Sequence, residues 1–111
     1  MDKKQTILSG IAPSGNLHIG NYLGALKQWV DLQKDYTVFA MAADLHAITA
    51  PQDPKALHAK TLEVTKIMVA SGIDPQKSVV FLQSHVSAHA ELGWILNTLT
   101  PVGELERMTQ F

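Results

Sequence analysis

His18 and Asn21 stand three residues apart in the run Pro13-Ser14-Gly15-Asn16-Leu17-His18-Ile19-Gly20-Asn21, which joins the apolar segment Thr6-Ile7-Leu8-Ser9-Gly10 to a helical pattern. A strand, a tight glycine-containing loop and a helix start are the parts of a phosphate site. The first N–H groups of a helix lack intrahelical partners, and the helix dipole favours negative charge there. At this spacing on a helix the two side chains share a face and can reach one anionic ligand. Gly20, between them, leaves room for a flat base or sugar to approach the backbone. The chemistry expected of the run is nucleotide binding.

Other chemistry-bearing residues are scattered. His46 follows an apolar segment and Asp44; it reads either as a site residue or as a core or capping histidine bonded to backbone. Asp44 reads equally as a helix cap or a local acceptor. His85 and His89 are four apart, a spacing metals use. A helix starting near Ser87 leaves His85 outside it, and no cysteine or suitably spaced carboxylate joins them, so no metal site is expected. Trp29 and Trp94 are expected to pack helices against a sheet rather than stack on a base. Glu104 and Arg107 have the spacing of a helical ion pair, worth about 0.3 kcal/mol.

The elements that must position these groups alternate. Thr6 to Ser9 is a short strand; a helix from Leu17 carries Ile19, Tyr22, Leu23, Leu26, Trp29 and Val30 on one face. Thr37 to Ala43 is continuously apolar, as in a strand covered on both faces. Asp53-Pro54 starts a second helix, with Leu57, Thr61, Val64, Ile67 and Met68 on its buried side and Gly72 at its end. Ser78 to Leu82 is a third strand. A third helix runs from about Ser87 to Leu99, with Leu92, Ile95, Leu96 and Leu99 along one side, and Pro101 ends it. The order β-α-β-α-β-α predicts an α/β fold with a parallel sheet, right-handed crossovers and flanking helices. It is the amino-terminal half of a Rossmann-like sheet, whose ligands bind beyond the carboxyl ends of the strands.

The chain has 111 residues, 46% hydrophobic and 17% charged, which places it among globular domains of one unit or part of one. A formal net charge of −1 argues against a general basic field for nucleic acid. The absence of cysteine excludes disulfides and thiolate metal sites. No segment reaches the roughly 18 consecutive apolar residues of a transmembrane helix, and Met1 to Gln5 lacks a following apolar signal core, so the expected location is cytoplasmic.

The run from Pro13 to Asn21 resembles the HIGH signature of class I aminoacyl-tRNA synthetases, in the variant with Asn21 at the second histidine, and within that class it is similar to the bacterial tryptophanyl enzymes. Four more stretches agree in order: Gly24 to Trp29, Asp44 to Thr49, Gly72 to Pro75, and Gly103 to Phe111. The resemblance implies a ligase that activates tryptophan with ATP, Mg²⁺ accompanying the nucleotide, and transfers it to tRNA(Trp). Ala12, Pro13, Ser14, Gly20 and Asn21 would contact ATP, and His18 and Asn21 would serve the phosphates during catalysis. Leu8, Ala43 and His46 would border the tryptophan pocket. Family members commonly have Gln at Ala12, so no side-chain role transfers there. The resemblance further implies a homodimer and no membrane partner.

Gly103 to Phe111 reads as the first turns of a helix, so the chain is expected to be an amino-terminal part of the catalytic domain. The rest of that domain, the acceptor for the indole N–H and the anticodon-binding domain would lie beyond it. Other readings are a nucleotidyltransferase of the same wider superfamily, a tyrosyl enzyme, or a non-catalytic nucleotide-binding or assembly module.

Overall fold

Two β-α-β crossovers build the molecule, whose computed structural model describes residues 4–109. Strands β1 (Thr6–Ile11), β2 (Thr37–Ala42) and β3 (Val79–Leu82) form one parallel sheet in the order β1-β2-β3. Leu8 pairs with Phe39 and Phe39 with Val79. β1 runs two residues beyond the expected Ser9. Gly10 makes that extension possible, because a Cβ there would lie 2.9 Å from the carbonyl oxygen of Met41, its partner on β2.

Helix α1 (residues 19–32) follows β1, helix α2 (Asp44–Ala47) follows β2, and α3 (Pro54–Ala70) makes the second crossover. Asp53 caps α3 by accepting from the N–H of Ala56 at 2.8 Å, with Pro54 at its first position. Gly72 follows its end at φ 109°, a left-handed conformation that glycine adopts without strain. A 3₁₀ turn (Gln83–His85) leads from β3 to α4 (Ser87–Leu99), and α5 (Val102–Leu105) is a single turn. The helical reading from Gly103 onward is therefore corrected to one turn followed by non-helical turns. Gln110 and Phe111 lie outside the described residues.

The core joins Leu26 and Trp29 of α1 and Val64 and Met68 of α3 to Val38, Ala40 and Ala42, one face of β2. Thr61 is also buried, and its hydroxyl donates to the Leu57 carbonyl at 2.8 Å. The expectation of a strand covered on both faces holds fully on one face, while Phe39 and Met41 on the other are half-buried. The two right-handed crossovers step in the same direction across the sheet, so both helices fall on the same face. Leu8 on the opposite face remains 58% exposed.

Trp29 packs as expected, whereas Trp94 is 70% exposed, and α4 buries none of its residues. Its apolar stripe has no partner among the described residues. The Glu104–Arg107 pair forms at 3.3 Å between exposed side chains.

Buried Gln33 joins the crossovers at the amino ends of the strands. Its amide nitrogen donates to the carbonyls of Val30 and Gly72, at 3.2 and 3.1 Å. Its oxygen accepts from the N–H of Asp74 at 2.6 Å and the hydroxyl of Ser78 at 2.8 Å. Every polar atom of this amide is engaged, which is how a buried polar group avoids its desolvation cost. No helix among the described residues is long and apolar enough to cross a membrane.

Candidate nucleotide site at the carboxyl end of the sheet

The loop leaving β1 wraps a cavity of about 420 Å³ lined by Ala12, Ser14, Asn16, His18, Asn21 and Ala25, among others. It opens beyond the carboxyl end of the strand, where nucleotides bind in open parallel sheets. Of the expected nucleotide residues, Ala12, Ser14, His18 and Asn21 come together here. Pro13 does not line it, because its ring is fully buried and anchors the loop in the core.

His18 corrects the sequence expectation. It precedes the helix in an extended conformation, φ −128° and ψ 174°, and so shares no helical face with Asn21. The two residues instead form a reciprocal cap. The Gly20 N–H donates to Nδ1 of His18 at 3.1 Å, and the His18 N–H donates to Oδ1 of Asn21 at 2.9 Å. The backbone donor of Gly20 is thus engaged within the protein.

The space beside Gly20 is occupied as well. A Cβ there would sit 2.9 Å from both Cε1 and Nδ1 of the imidazole. The glycine accommodates His18 rather than a flat ligand. Because Nδ1 accepts, the neutral ring carries its proton on Nε2, leaving an N–H donor for the cavity. The Asn21 amide NH₂ also has no hydrogen-bond partner among the described residues.

Helix α1 is not uniform. An α turn (Ile19–Asn21) passes into a π segment (Tyr22–Leu26) and then back to α geometry (Lys27–Leu32). The π segment widens the helix by i→i+5 hydrogen bonding, and Ile19, Tyr22 and Leu26 still line one hollow with Ile67 of α3. Leu26 and Trp29 face the core as expected, but Ile19, Tyr22 and Leu23 are exposed.

Lys60 on α3, not singled out from the sequence, reaches this loop. Its ammonium donates to Oδ1 of Asn16 at 2.5 Å and pairs with Glu63 at 2.8 Å. The contact spans 44 residues, so no local pattern signals it.

The expected tryptophan-site residues are spread along the carboxyl side. Leu8 lines an apolar hollow of about 420 Å³ on the open sheet face with Phe39, Val79, Phe81, Val86 and His89. Ala43 is buried just past β2, and its N–H donates to Ile11 at 2.9 Å. Leu8 pairs with Phe39, four residues before Ala43, so the two are roughly 13 Å apart along the strands. His46 is exposed on α2 and lines neither cavity.

Asp44 is neither the cap nor a purely local acceptor, since two of its three donors come from Ser84, 40 residues on. Its carboxylate takes the N–H of Leu45 at 3.0 Å, the N–H of Ser84 at 2.9 Å and the Ser84 hydroxyl at 2.5 Å. Gln83 and Ser84 were missed as site neighbours. Their only sequence signal was a position directly after a parallel strand, at the functional end of the sheet.

A parallel α/β sheet with a capped histidine loop at its carboxyl end defines a protein of Rossmann-like architecture with a candidate nucleotide site. Residues 1–111 match the family profile described as tRNA synthetases class I (W and Y), and the chain belongs to that family. It is 59% identical over 110 residues to the tryptophan–tRNA ligase of Clostridium tetani, covering 99% of this chain and 32% of that protein. It is 54% identical over 111 residues to the corresponding Synechocystis ligase, covering 100% of this chain and 33% of that protein.

Among solved structures, Campylobacter jejuni tryptophanyl-tRNA synthetase superposes with a TM-score of 0.87 at 47% identity, over 96% of this chain and 34% of that one. The same enzyme complexed with ADP and tryptophan gives a TM-score of 0.86 at 48% identity, over 93% of this chain and 32% of that one. The chain spans about a third of the length of the curated relatives it matches.

Proposed function

We propose that the chain forms part of the catalytic domain of a tryptophan–tRNA ligase. It supplies the nucleotide loop and one side of the amino-acid pocket. The observation that carries this reading is the His18–Gly20–Asn21 cap at the mouth of a cavity beyond β1. Ligases of this name are the relatives most of the chain resembles, and one was solved with ADP and tryptophan.

In the reaction, an oxygen of the tryptophan carboxylate attacks the α-phosphorus of ATP. The bond from that phosphorus to the bridging oxygen breaks, and pyrophosphate leaves with the electron pair. The carboxylate is a nucleophile at neutral pH, so no general base is needed. The work left to the protein is alignment of two anions and stabilisation of charge growing on phosphate oxygens.

His18 Nε2–H and the Asn21 amide supply neutral donors for that charge, with Ser14 and the backbone at Ala12 and Pro13 holding the nucleotide. Gly20 acts indirectly by giving His18 its place. The residues lining the cavity include no carboxylate, so Mg²⁺ would arrive with ATP as part of the substrate and supply charge neutralisation on the phosphates. Leu8 would border tryptophan at one end of its site and Ala43 and His46 at the other, and the adenylate would then pass tryptophan to the 3′ end of tRNA(Trp) in a homodimeric, cytoplasmic enzyme.

Amino-acid-dependent ATP–pyrophosphate exchange by the full-length gene product tests this, with all twenty amino acids offered. Exchange with tryptophan, lost on His18→Ala plus Asn21→Ala, supports it. Exchange with tyrosine alone, or with none, overturns it.

A further inference from the structure

Helix α2 is four residues long, too short to hold its own conformation in water. Its orientation must come from outside the turn, and the hydrogen bonds identify the source. The N–H of His46, an orphan donor of the first turn, donates to the side-chain oxygen of Gln83 at 3.2 Å. That oxygen comes from 37 residues further along the chain and acts as a cap supplied by another element. Ser84 completes the tie from the other side, its N–H and hydroxyl both donating to the Asp44 carboxylate. Three hydrogen bonds thus cross from the exit of β3 to the exit of β2.

We infer that Gln83 and Ser84 are positioning residues for tryptophan, setting the α2 turn so that His46 meets the substrate. The inference rests on the proposed ligase activity and on the place of His46 in it; neither Gln83 nor Ser84 touches substrate. Gln83 addresses the backbone of His46 itself, whereas Ser84 acts one step removed, through Asp44. The nucleotide loop follows β1, on the far side of β2 from β3. Loss of the tie therefore disturbs the amino acid and spares ATP.

The test uses the full-length enzyme with Gln83→Met, which keeps side-chain length but removes the acceptor, and Gln83→Glu, which retains an acceptor oxygen. In pyrophosphate exchange, Gln83→Met is expected to raise KM for tryptophan about tenfold, the loss of one net hydrogen bond of about 1.4 kcal/mol. The KM for ATP and kcat stay within twofold, and Gln83→Glu restores most of the loss. Ser84→Ala follows the same pattern more weakly, and Ser84→Thr rescues it.

An unchanged tryptophan KM, or an equal rise for ATP, overturns the inference. Amide hydrogen exchange at His46 separates it from the ligase reading. Protection that falls at least tenfold in Gln83→Met supports the tie, and unchanged protection overturns it. A wild-type enzyme without tryptophan-dependent exchange instead defeats the ligase assignment, whatever the amide at His46 does.

Discussion

Nδ1 of His18 accepts the backbone N–H of Gly20 at 3.1 Å, so the imidazole is both the cap of helix α1 and, through Nε2–H, a donor at the cavity it lines. His18→Ala removes both roles. Loss of the cap is expected to cost about 1 kcal/mol of stability. Loss of a transition-state donor is expected to slow tryptophan-dependent pyrophosphate exchange about 100-fold. Urea unfolding and exchange kinetics on the full-length protein measure the two effects separately.

Gly20→Ala leaves His18 in the sequence but places a methyl group 2.9 Å from two atoms of its ring. Either the ring or the helix start must move. Its expected exchange defect approaches that of His18→Ala, and the double variant is expected to be no worse than the more impaired single one. Multiplicative defects would show that Gly20 acts independently of the imidazole.

Lys60→Met cuts the tie from α3 to Asn16. Lys60 and its Glu63 partner are solvent-accessible, so the expected stability loss is under about 1 kcal/mol. The expected kinetic signature is a severalfold rise in KM for ATP with KM for tryptophan unchanged, the converse of Gln83→Met. Steady-state exchange at varied ATP and varied tryptophan checks it.

Gln33→Leu leaves the N–H of Asp74, the carbonyl of Gly72 and the hydroxyl of Ser78 without their acceptor or donor. The side chain is only 7% exposed, and stranded buried polar groups cost about 1–3 kcal/mol each. A total loss of about 2–4 kcal/mol is expected after partial rehydration. Equilibrium urea denaturation measures it, and a loss below 1 kcal/mol would contradict this account.

Asp74 gives a pH dependence with a defined sign. The N–H of Gln76, donating at 2.9 Å, and then the Lys77 ammonium hold its carboxyl below the ordinary aspartate value. A carboxylate whose pKa is depressed in the folded state contributes stability above its unfolded pKa and loses it as pH falls through the folded one. Wild type is therefore expected to lose stability more steeply than Asp74→Asn as the pH drops below about 4. Urea midpoints across that range test the difference.

Local patterns sufficed for much of the fold. Continuous apolar runs marked three strands, Asp53-Pro54 and Gly72 bounded a helix through their backbone chemistry, and Ser87 to Leu99 came out with its structural limits. The alternation of elements carried the parallel α/β class, and nine residues around His18 carried the proposal of a nucleotide loop. Each of these depends on near neighbours or on one rotation period, so each is readable along a single line of residues.

Tertiary structure alone decided what lies against what. Nothing local tells that both crossover helices cover one face of the sheet, that Trp94 stays exposed, or that Lys60 holds Asn16. The exposure of Ile19, Tyr22 and Leu23, which a 3.6-residue period had assigned to the core, is likewise decided by what packs against α1. The same holds for the acceptor of the His46 N–H. It is Gln83, brought 37 residues back by the parallel pairing of β2 with β3. Side-chain chemistry is written residue by residue, but its partners are chosen by the sheet, because hydrogen bonds form by distance in space rather than along the chain.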